Sequence, residues 1–136
     1  MIVVDTSVIF KWYSDEAESS TALKILESHL SEKETICVPD LLLYKLTNAW
    51  ATKSALPFEK IKLNLKNLQK IGISFEPINF KRANKAVEIS KKYEVSVYGA
   101  SYVVLAKEKK CKLYTADAKF VSLVNLPFVK NLADYS

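Results

Sequence analysis

The chain is short of breakers. Its 136 residues include only two Gly and four Pro, so helix-rich structure with few tight turns is expected. Cysteine occurs only at positions 37 and 111, and His29 is the sole histidine. Those residues form no zinc pattern. A Ser-His-Asp or histidine–metal mechanism would rest on His29 alone, which falls in a polar helical stretch and reads as a surface residue. No apolar run approaches the length of a membrane span. Residues 1–4 look like a strand rather than a signal segment. A cytoplasmic protein without membrane attachment is the expectation. Arginine is nearly missing as well: of 20 basic residues only Arg82 is not Lys. A net charge of +5 favours encounter with polyanions, yet bidentate Arg contacts to phosphate are scarce.

The chain does have the composition of a globular domain. A hydrophobic fraction of 49% and a charged fraction of 26% suit a single domain spanning 1–136 with a real core. Met1-Ile2-Val3-Val4 is a short apolar run of the kind found in strands buried on both faces, and it leads straight into Asp5-Thr6-Ser7. A second strand-to-acid junction stands at Lys112-Leu113-Tyr114-Thr115-Ala116-Asp117. Each Asp has two readings that stay open at this point, as a cap on the following helix or as a ligand-facing group at the carboxyl edge of a sheet.

Between those junctions strands and helices alternate. Residues 7–13 suit a short helix. Ser14-Asp15-Glu16 resembles a helix start, with the helix running to about 31. Residues 35–38 read as a strand, and Pro39-Asp40 opens a helix to about 54. Another helix begins at Pro57 and is closed by Gly72. A strand over 73–78, a basic helix over 79–93, an apolar helix over 97–110, a strand over 112–115, a short helix over 117–124 and a strand near 127–130 complete the order. Such alternation predicts an α/β fold with a parallel sheet flanked by helices. Lysines cluster at 62, 66 and 70, at 81, 85, 91 and 92 beside Arg82, and at 107, 109, 110 and 112. These read first as solvated faces and second as an RNA track.

Three segments taken together, Val3-Val4-Asp5-Thr6-Ser7, Pro39 to Ala49, and Val97 to Tyr102 followed by Leu113 to Phe120, resemble the PIN-domain family, in particular the small VapC ribonuclease toxins of toxin–antitoxin pairs. The resemblance covers essentially the whole chain. It implies a three-layer PIN-like fold with a central parallel sheet ordered 3-2-1-4-5, which would bring Asp5 and Asp117 together. It also implies an endoribonuclease dependent on Mg2+ or Mn2+, with RNA as substrate, an antitoxin protein as partner and a possible homodimer. In that order two strand spacings, about 9.6 Å, separate Cys37 from Cys111, beyond disulfide reach.

The sequence departs from the family pattern at two of four acidic positions. Lys45 stands where the pattern has Glu, and Gly99 where it has Asp. Asp5 and Asp117 match as catalytic and metal-holding acids, with Thr6, Ser7, Asn48 and Thr115 in supporting positions. Asp40 reads as a helix cap. The expectation is impaired catalysis and weak metal binding, with the Lys45 ammonium paired to one or both aspartates in place of the ion. Gly99 answers either to a turn needing positive φ or to a retired ligand that has lost its side chain. A working nuclease, a non-catalytic PIN fold binding RNA or an antitoxin, and an unrelated α/β module using Asp5 differently are the hypotheses carried forward.

Overall fold

In a computed structural model describing residues 1–136, five strands form one parallel sheet: β1 (Ile2–Val4), β2 (Ile36–Pro39), β3 (Ser74–Glu76), β4 (Lys112–Thr115) and β5 (Val129–Asn131). Their order is β3-β2-β1-β4-β5. The central strand pairs Ile2 with Ile36 on one side and Val3 with Leu113 on the other. Val3, Val4, Ile36, Val38 and Leu113 are all buried, and each contributes ~1.5–3 kcal/mol by leaving water. Such strands carry no polar alternation because helices cover both faces of a parallel sheet.

Seven helices flank the sheet: α1 (Thr6–Phe10), α2 (Ser19–Leu30), α3 (Leu42–Asn48), α4 (Phe58–Ile71), α5 (Phe80–Tyr93), α6 (Val97–Lys109) and α7 (Ala118–Val124). The most buried is α6, with Ala100 and Tyr102 through Ala106 all out of water. It packs on β1, β2 and β4, and α5 packs against it. Gly72 closes α4 at φ 74°, and Asn79 caps α5 through the Arg82 amide. Both thiols are free.

Three local expectations need correction. The helix expected from Ser14 begins only at Ser19. Lys11 is the reason: its buried ammonium holds Glu16 Oε1 at 2.9 Å and the Ala17 carbonyl at 2.7 Å, which keeps that stretch as a loop. Asp40 gives no side-chain cap, because α3 starts later, at Leu42. His29 is half-buried and bonded through both ring nitrogens, rather than a free surface residue. Its Nδ1 accepts from the Ile36 amide at 3.2 Å, so Nε2 carries the proton donated to the Ile71 carbonyl 3.0 Å away. One imidazole thereby joins α2, the end of α4 and β2.

Candidate functional site

Because β1 and β4 are adjacent, their carboxyl ends deliver Asp5 and Asp117 to one pocket of about 190 Å³, also lined by Thr6, Lys45, Ser96, Tyr98, Gly99, Tyr102 and Phe120. Open parallel sheets form their ligand crevices at this edge, where neighbouring connections diverge.

Both aspartates are helix caps as well as pocket residues. Asp5 Oδ1 accepts from the Ser7 amide at 3.1 Å and the Ser7 hydroxyl at 2.5 Å, while Oδ2 accepts from the Thr115 hydroxyl at 2.5 Å. The two hydroxyls relay onward: Ser7 Oγ accepts from the Ala116 amide at 3.0 Å, and Thr115 Oγ1 accepts from the Asp117 amide at 3.1 Å. A closed clasp therefore joins β1–α1 to β4–α7. Asp117 caps α7 through the Phe120 amide at 3.0 Å and keeps its other oxygen free. Burial raises the Asp5 pKa above its ordinary value, outweighing the Ser7 and Thr115 donors that pull it down. Thr6 Oγ1 meets the Tyr102 hydroxyl at 2.8 Å, and burial of that phenol raises its pKa too.

Lys45 reaches the pocket but does not pair with an aspartate, contrary to expectation. It is exposed, and its Nζ lies 4.8 Å from the centroid of the Tyr98 ring. An ammonium over an aromatic face gains ~0.5–1 kcal/mol when exposed. The oxygens of Asp5 already serve shorter, local donors, and this leaves the π face as the competing partner.

Gly99 has a physical account that sequence reasoning missed. It lies in the first turn of α6, where Ser96 Oγ caps its amide at 3.0 Å. The positive-φ explanation fails, since Gly72 is the only glycine with positive φ. A Cβ at position 99 would instead stand 2.8 Å from Phe120 Cε2, closer than carbon atoms pack. The Phe120 ring fills the room a side chain at 99 would need. Nothing in the linear pattern couples 99 to 120; only the fold of α7 against α6 does. Asn48, at the exposed end of α3, does not line the pocket.

The family resemblance implies a divalent ion here, and the residues present do not fit a resident one. No three His, Cys, Asp or Glu side chains come together anywhere in the chain. Asp5 is fully engaged by neutral donors. The one cation in the pocket, Lys45, would repel an incoming ion of like sign, and two carboxylates alone give little to offset dehydration. The arrangement suits a hydrogen-bonded brace beside a polar recess open to a ligand.

A family model described as PIN domain matches residues 2–125. No curated protein matches in sequence. Several solved structures share the fold. A toxin–antitoxin complex from Klebsiella pneumoniae superposes with a TM-score of 0.73 at 15% identity, over 97% of this chain and 98% of that one. FitAcB from Neisseria gonorrhoeae gives 0.72 at 17% identity, over 98% and 99%. The sarcin–ricin-loop-cleaving toxin VapC20 of Mycobacterium tuberculosis gives 0.67 at 15% identity, over 90% and 94%.

Proposed function

The chain belongs to the PIN-domain family, and from that premise we propose that it is a VapC-type toxin protein, partnered by an antitoxin, whose ribonuclease site is degenerate. It engages RNA through its basic surface and cleaves it feebly or not at all. The observation that carries this reading is the content of one pocket: two aspartates, an ammonium at position 45 and a phenyl ring where a side chain at 99 would sit. Asp5 and Asp117 act in it as braces that hold the mouth of the pocket, with Ser7 and Thr115 as their supports. Lys45 and the lysine clusters meet phosphates, which gives salt-dependent binding with little sequence preference. No helix is long and apolar enough to cross a membrane, and action on RNA with an antitoxin would place the protein in the cytoplasm.

The test is cleavage of a labelled single-stranded RNA with Mg2+ or Mn2+, read beside direct RNA binding at low and high salt. The expected result is binding that collapses with salt and cleavage near background. Efficient, Asp5-dependent cleavage by the unmodified chain would overturn the degenerate reading.

A further inference from the structure

Lys45 and Lys53 are exposed, and neither joins any of the six ion pairs in the chain. Lys45 stands on α3, and Lys53 on the π turn (Ala49–Lys53) that extends it. We propose that these two lysines are the fixed points of a track for single-stranded RNA, which crosses the carboxyl edge of the sheet over Thr6. The proposal rests on the RNA reading above and adds to it where the strand runs and which cations hold it.

The first reason is the turn itself. Residues eight apart on an α-helix lie about 80° from each other round the axis. Here the helix widens: the Ser54 amide donates to the Ala49 carbonyl at 3.0 Å, and the Thr52 hydroxyl to the Asn48 carbonyl at 2.7 Å. At about 4.4 residues per turn, the π stretch brings Lys53 back to within about 10° of the face that carries Lys45. Trp50, in the same turn, is buried against Tyr13, which gives the turn a packing role. Packing alone does not call for a cation at position 53.

The second reason is the pair of recesses these lysines border. Lys45 lines the aspartate pocket together with Thr6. Lys53 lines a second recess of about 250 Å³, together with Thr6, Ser7, Phe10 and Ala49. Thr6 walls both, so the two recesses adjoin at α1 with a lysine beside each. Lys11 and Glu16 also border the second recess, but they neutralise each other at 2.9 Å, which leaves Lys53 as its net charge. Asp5 and Asp117 repel phosphate from among themselves, so a strand is held at the lysines and passes over the carboxylates.

The third reason is spacing. Eight residues of helix rise about 12 Å. A stacked strand advances ~3.4 Å per nucleotide, so about three to four nucleotides connect the two ammonium groups. Lys45 keeps its full charge over the Tyr98 ring, 4.8 Å from the centroid, since an exposed contact of that kind is weak. Two ammonium groups without a guanidinium fork read backbone charge and not base identity.

Anisotropy of a fluorescein-labelled oligouridylate, titrated with the full chain at several salt concentrations, tests the track. The variants are Lys45→Ala, Lys53→Ala and a double exchange, Thr52→Lys with Lys53→Thr, which keeps the net charge but moves the cation round the turn. Lys24→Ala, on α2, controls for loss of one charge elsewhere, and an oligoglutamate of equal charge serves as competitor. Circular dichroism checks that each variant is folded. The expected result is ~3–10-fold weaker binding for Lys45→Ala, Lys53→Ala and the exchange, a salt slope lowered by about 0.7 for each single alanine variant, and a change under about twofold for Lys24→Ala. No RNA binding by the unmodified chain would overturn the RNA reading and the track with it. RNA binding that Lys53→Ala weakens no more than Lys24→Ala, that the exchange leaves at full strength, or that oligoglutamate displaces as well as RNA does, would overturn the track alone.

Discussion

Two clusters of charge in this molecule solve the same problem in opposite ways. At the junction of β3, α5 and α6, Arg82 makes a fork to Glu108, with Nε at 3.0 Å and Nη2 at 2.7 Å, and its Nη1 donates to the Pro77 carbonyl at 2.7 Å. Glu76 is held between Arg82 and Lys109. Two acids meet two cations. At the carboxyl ends of β1 and β4, two acids meet mainly neutral donors, and the nearby cation turns to an aromatic ring. Opposite charges on facing elements do not make an ion pair by themselves. The rigid guanidinium fork matches a carboxylate geometrically. A Lys on a mobile stem must compete with hydroxyls and amides already placed by the chain's own turns.

The pKa directions follow the same division. The bonds from Lys109 and Arg82 hold the carboxyls of Glu76 and Glu108 below the ordinary Glu range, whereas burial pushes Asp5 above the Asp range.

The largest expected effect breaks the hydroxyl-held cluster. Asp5→Ala removes the acceptor shared by the Ser7 amide, the Ser7 hydroxyl and the Thr115 hydroxyl, and it opens the clasp between the β1–α1 and β4–α7 junctions at the carboxyl ends of the strands. A loss of about 2–4 kcal/mol is expected, measured by urea unfolding. A loss no greater than that of an ordinary surface substitution would show the clasp to be incidental.

Breaking the ion-held cluster costs less, because it is partly exposed: side-chain exposure is 21% for Arg82 and 37% for Glu108. Arg82→Ala is expected to cost about 1–3 kcal/mol. Raised salt should shrink the difference from the unmodified chain, since exposed pairs are screened. An equal cost at low and high salt would mean that Arg82 acts through packing and its Pro77 bond instead.

A smaller effect sharpens the contrast through pH. Glu76 and Glu108 have lowered folded pKa values, so the stability they contribute is present above the unfolded value of 4.5 and is lost as pH falls through the folded values. Asp5 has a raised folded pKa, so its contribution has the opposite sign. That contribution is greatest below the unfolded value of 3.8 and is lost as pH rises through the folded value. Between neutral pH and pH 4, Arg82→Ala should flatten the acid-side fall in stability. Asp5→Asn should steepen it by removing the opposing trend. Parallel stability–pH curves for both variants would contradict this assignment.

Much of the fold was legible because it depends on local signals that agree. Apolar runs too short for helices marked the strands, Gly72 closed α4, and strand–helix alternation required parallel pairing. The approach of Asp5 to Asp117 follows from β1 and β4 being neighbours. What escaped reading depends on contacts between residues distant in sequence or on competition for one acceptor. Ser14 looked like a cap, but Lys11 claimed the following loop. His29 looked polar and exposed until the end of α4 and β2 arrived at its two nitrogens. Lys45 faced the pocket as its helix position required, yet its ammonium chose Tyr98. The fit of Phe120 against Gly99 is written 21 positions apart, on two helices that nothing in the linear pattern pairs.

Lys45, Gly99 and the Phe120 ring are the three features that set this acid pocket against a divalent ion. Calorimetric titration of Mn2+ into the unmodified chain and into the Lys45→Glu, Gly99→Asp, Phe120→Ala triple variant tests this most directly, since the last change clears the ring from the space Asp needs. The expected result is no saturable binding to the unmodified chain and saturable, Asp5-dependent binding to the triple variant. Saturable binding to the unmodified chain that is abolished by Asp5→Asn would contradict it.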